Sequence, residues 1–169
     1  MPDNFATIGC SLLRYHRWAL QRYIAALELL GEEQLLADRQ ISFGSIHRTL
    51  LHLYQADAIW WSRLTANPVQ PTPAGEDDVP PLASLQEAWF RLLDGMNIWA
   101  GGLSEAGWFA AIEYSNSKGV PFRTPVWQAV LQMVNHGTAH RGQVGALLRQ
   151  IGVTPPNSDL INFYRLEAA

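Results

Sequence analysis

Between Thr124 and Gly152 apolar residues recur at the three-to-four-residue interval of an α-helix, and two histidines fall inside the same stripe. Val126, Ala129, Met133, Val144, Leu147 and Ile151 define the stripe, with His136 and His140 between them at i and i+4. That spacing stacks two imidazoles on one side of a helix, within reach of a single ion. Imidazoles on an apolar face need partners, because a buried polar group left unpaired costs on the order of 1–3 kcal/mol. A backbone carbonyl, a water or a metal ion would each serve.

The rest of the chain is written in the same period. Leu12, Leu13, His16, Leu20, Tyr23, Ile24, Leu27 and Leu30 share one face of a first helix spanning about residues 4–30, with Gly31 as its expected stop. A second helix is expected from an N-cap at Ser45 to Thr65. Residues 67–81, with prolines at 68, 71, 73, 80 and 81, read as a surface loop. Ser84 and Glu87 form a capping-box pattern that opens a third helix to about Ala100, before Gly101 and Gly102. Residues 108–123 break the period and predict a short hairpin or extended excursion. Thr124 as N-cap and Pro125 as first helical residue launch the fourth helix, which Gly152 closes, and a short helical piece follows around Asp159–Arg165. The expectation is an all-α four-helix bundle over residues 1–169, one domain, of the kind that places metal and ligand sites between facing helices.

Composition narrows the function classes. Hydrophobic residues make up 48% and charged residues 16% of the 169, which excludes a disordered chain. A net charge of −3 with no basic block gives no footprint for nucleic acid. No run of about 18 apolar residues predicts a membrane span, and the opening residues do not read as a signal peptide, so a cytoplasmic protein is expected. The single cysteine, Cys10, excludes an internal disulfide and a cysteine-based zinc framework. The glycines at 137, 142 and 145 lie within a helix, not in a strand-to-helix turn. They point to close helix packing and not to a dinucleotide fingerprint.

A third ligand has to come from another helix. His52 flanks the second helix's apolar stripe of Ile46, Leu50, Leu53, Trp60 and Leu64, while His16 lies inside the first helix's stripe and competes with it. His47 projects the other way and reads as an exposed or capping residue. Asp57 is placed to orient a histidine, to pair with an arginine, or to make a purely structural contact; Arg141 reads as an exposed helix arginine or a contact for an anionic substrate. Three imidazoles and an open fourth position would be a catalytic pattern rather than a structural one.

The run from Phe43 through Gly44, His47, His52 and Asp57 to Trp60 resembles the second-helix signature of the DinB family. Asn135 to Gln143, followed by Leu147 to Gly152 and Pro155 to Ile161, resembles that family's fourth-helix region, and Tyr15 to Ala19 resembles its opening. The resemblance covers nearly the whole chain. It implies a DinB/YfiT-like four-helix bundle, often a homodimer, with a three-histidine centre holding zinc or nickel on His52, His136 and His140. Asp57 and His16 become the candidate neighbours of that centre. Many members carry a double histidine where this chain has Ala139 before His140. Relatives with assigned activities include isomerases and transferases that use low-molecular-weight thiols such as mycothiol or bacillithiol. The implied function is therefore a metal-dependent S-transferase or hydrolase acting on a small-molecule electrophile with a thiol cosubstrate. A stress-related protein with a purely structural ion is the alternative.

Overall fold

The computed structural model describes residues 4–67 and 79–168, and most of the proline-rich run expected as a loop lies outside them. The chain is mostly helical, in the order α1 (Phe5–Leu27), α2 (Glu32–Leu36), α3 (Ile46–Thr65), α4 (Leu82–Gly101), α5 (Glu105–Phe109), β1 (Ala111–Ser115), β2 (Pro121–Pro125), α6 (Val126–Gln150) and α7 (Leu160–Glu167). The four long helices close a circuit of contacts: α1 packs on α4 and α6, and α3 packs on the same two. Their stripes meet in one core that includes Leu13, Leu20, Leu50, Leu53, Trp89, Leu93, Met133 and Leu147. Each such side chain, fully buried, favours folding by roughly 1.5–3 kcal/mol before entropy is counted.

Local chemistry sets the element ends. Asn4 Oδ1 accepts from the Thr7 amide, and the Glu105 carboxylate accepts from the Phe5 and Ala6 amides, so a carboxylate from α5 sits at the positive end of α1. Ser45 Oγ caps α3 through the Arg48 amide, as expected. Gly152, at φ +77°, closes α6 in the left-handed conformation, with the Val153 amide donating to Leu148.

Three boundaries differ from expectation. Helix α1 ends at Leu27, and Gly31, at φ −69°, is the N-cap of α2 and not a stop. Glu28 at that end offers the helix dipole no cation, and α1 has no basic residue in its last turn. Helix α4 begins at Leu82 on Pro81, ahead of the Ser84 capping pattern, because Pro81 already holds the extended conformation of a cap. Pro125 is the cap of α6, not its first residue. Antiparallel pairing of Pro125 with Ala111 keeps the chain extended one residue longer, and the Val126 amide donates to Ala110.

The β1–β2 hairpin is the predicted excursion. Asn116 Oδ1 accepts from the Lys118 and Val120 amides, and Gly119 takes φ +76° to complete the turn.

Candidate metal centre

Helix α6 carries His136 and His140 one turn apart, and α3 brings His52 against them. Ring centroids are 4.4 Å apart for His136 and His140, 4.9 Å for His52 and His140, and 5.2 Å for His52 and His136. One ring nitrogen from each of the three lies within 4.8 Å of the others, and all three residues are half-buried. Phe43 stacks on His52 at 4.1 Å and meets His140 edge-on, so the loop before α3 holds the third imidazole in place.

The donor atoms suit an ion. His136 Nε2 is buried without a hydrogen-bond partner among the described residues. His140 Nδ1 lies 2.8 Å from Gln143 Oε1 and donates to it, which leaves the Nε2 lone pair for a metal. Burial, then the neighbouring His140 and His136, push His52 down to about 4, so its ring is an unprotonated donor at neutral pH. Burial and His140 also lower His136, with Asp57 opposing. Three imidazole nitrogens are a donor set that fits zinc, nickel or iron.

His16 and Asp57 meet each other and not the three histidines. His16 Nε2 donates to Asp57 Oδ2 at 3.0 Å, and Trp89 Nε1 donates to the same oxygen at 2.7 Å. On the other side of the ring, Arg141 Nη1 lies 3.2 Å from His16 Nδ1. With the proton on Nε2 and the lone pair on Nδ1, this ring links a guanidinium to a carboxylate. Gly137 makes room for it: a Cβ there would lie 2.3 Å from His16 Cε1.

Two other residues depart from the sequence reading. His47 is 3% exposed rather than on the surface, because α2 packs on α3 and the chain around Pro80 covers the remaining side. The exposed alternative for Arg141 fails too: the residue is 3% exposed, beneath Tyr15 of α1. Sequence reasoning gave no role to Gln143, Phe43 or Trp89. The i, i+3 spacing of His140 and Gln143 was the one signal that could have found a partner. Cys10 is half-buried, and burial pushes its thiol up, away from a reactive thiolate.

The model of the DinB family matches residues 1–168. Protein DinB of Bacillus subtilis (strain 168) is 24% identical over 154 residues, covering 88% of each chain. The crystal structure of a DinB-like protein from Bacillus cereus ATCC 10987 shares the fold, with a TM-score of 0.62 at 18% identity over 86% of this chain and 94% of that one.

Proposed function

The chain belongs to the DinB family, and from that premise we propose that it is a four-helix-bundle metalloprotein whose ion is held by His52, His136 and His140. The observation that carries this reading is the convergence of three ring nitrogens within 4.8 Å, one of them a buried Nε2 with no other partner among the described residues. Among the ions such a donor set accepts, the family likeness favours zinc or nickel. Gln143 orients His140, and Phe43 orients His52.

Half-burial of all three histidines leaves the cluster reachable from solvent, which favours an enzyme over a purely structural ion. A divalent ion there would supply Lewis acidity and lower the pKa of a thiol or water beside it. The protein's own part is to hold three imidazoles fixed in orientation, with burial disfavouring the protonated form of His52 and His136. The reaction class that fits is transfer or hydrolysis at a small electrophile with a low-molecular-weight thiol as cosubstrate, in a cytoplasmic homodimer. The family likeness is what supports the thiol, the dimer and the compartment. No helix among the described residues is long and apolar enough to cross a membrane.

Elemental analysis of untagged protein tests the centre. About one ion per chain is expected, lost in His52→Ala and in His140→Ala, and held about tenfold more weakly in Gln143→Leu. Unchanged metal content in both histidine variants sinks the assignment. Thiol and electrophile panels on the loaded protein then separate the two roles. If ion removal lowers the melting temperature but no thiol binds, the ion is structural.

A further inference from the structure

Helix α6 has a second functional-looking face, turned roughly opposite to the histidines. There α1, α6 and the segment 155–160 enclose a cleft of about 690 Å³, and none of the three histidines borders it. Arg141 lies at its floor. The Arg141 guanidinium has five N–H donors, and the structure engages two of its nitrogens: Nη2 donates to Thr138 Oγ1 at 3.0 Å, and Nη1 faces His16 Nδ1. Among the described residues its Nε is buried with no hydrogen-bond partner, and no carboxylate is in ion-pair contact with it. The Tyr15 ring lies 5.6 Å from its Cζ and Asp57 reaches it only through His16, so this buried cation has no anion in direct contact and would gain from one in the cleft.

The surroundings say which kind of anion. Arg149 lies two turns further along the same face, about 12 Å away, exposed and in no ion pair among the described residues. Asp159 also borders the cleft, so two guanidiniums face one carboxylate and the balance is positive. Leu131, Val134 and Pro155 supply an apolar wall. We propose that this cleft is a second ligand site, taking a small organic anion whose carboxylate or phosphate head meets Arg141 while its apolar body lies along that wall. The site does not depend on the metal centre.

Gly142 gives a clean probe, because a Cβ there meets nothing within 4 Å and the residue borders the cleft. Gly142→Asp therefore adds a carboxylate without displacing the buried Arg141. The full chain is titrated with benzoate, phenyl phosphate and benzyl alcohol at constant ionic strength, with heat of binding as the readout and metal content measured alongside. Saturable binding of at least one anion is expected, and the tighter of the two identifies the head group. Gly142→Asp should weaken it about tenfold or more and Arg149→Gln about threefold, both with unchanged metal content, and benzyl alcohol should not bind. No saturable anion binding, equal affinity in Gly142→Asp, or equal binding of benzyl alcohol overturns the proposal. Loss of metal in the histidine variants has no bearing on it.

Discussion

Asp57 accepts hydrogen bonds from His16 and Trp89 with 1% of its surface exposed, and Arg141 lies on the far side of the same imidazole. Truncating Asp57 leaves His16 Nε2 and Trp89 Nε1 buried without their acceptor, so the arrangement is worth more intact than either pair within it. Asp57→Ala should destabilise the protein by about 3–5 kcal/mol in urea denaturation. A cost near zero would mean that Trp89 and His16 find other acceptors. Gly137→Ala attacks the same place sterically, since the added methyl would lie 2.3 Å from His16 Cε1 and 2.8 Å from Arg141 Nη1. Overpacking of this kind costs about 1–3 kcal/mol, even though alanine is the better helix former by about 1 kcal/mol. Melting curves on Gly137→Ala and Gly142→Ala decide the point, the second having open space and an expected gain. From sequence, Gly137 suggested only close packing. What packs there is a ring from another helix, and no local pattern names it.

Among the elements, the piece that the helical period does not explain is held by one tryptophan. Trp108 of α5 is fully buried, and its ring lies so close to α1 that a Cβ on Gly9 would come within 2.6 Å of it. Phe5 packs edge-on against both Trp108 and Trp127. Trp108→Ala should cost about 3–5 kcal/mol and loosen the hairpin, read as faster amide hydrogen exchange across β1 and β2 than across α3. Uniform exchange in all elements would contradict this docking role. The four long helices were legible because each repeats its apolar positions over five or more turns. Ends were less so: Pro125 and Gly31 were read from local rules, and strand pairing with Ala111 in one case and the start of α2 in the other overrode them. The short α2 carries too few residues for a period to register, yet it is the helix that packs over the side of α3 bearing His47.

At the scale of the whole molecule, burial of His47 ties stability to pH. Burial lowers its pKa from 6.5, while the Pro80 carbonyl and Glu32 partly oppose that shift. Both ring nitrogens lack a well-formed hydrogen bond among the described residues. The unfolded chain binds the proton more readily, so this contribution is present above 6.5 and is lost as pH falls through the folded value. Urea melts from pH 8 to pH 5 should show stability falling with acid, less steeply in His47→Gln; an unchanged slope in the variant would remove His47 from the account. The candidate site was half legible. Spacing alone paired His136 with His140, but which of His16 and His52 faces them is a question of how α1 and α3 cross α6, and only resemblance favoured His52. The burial of Arg141 could not be foreseen because a helical wheel knows nothing of Tyr15 or of the segment 155–160 lying over it. The placement of the donors on α3 and α6 also sorts the chain topologically. An ion fastened to both would work as a clasp, closing by coordination a loop of chain that carries α4, α5 and the hairpin, with α1, α2 and α7 outside that loop in sequence. Because only the folded chain brings those donors together, adding the ion should raise the melting temperature, and more so as its concentration rises.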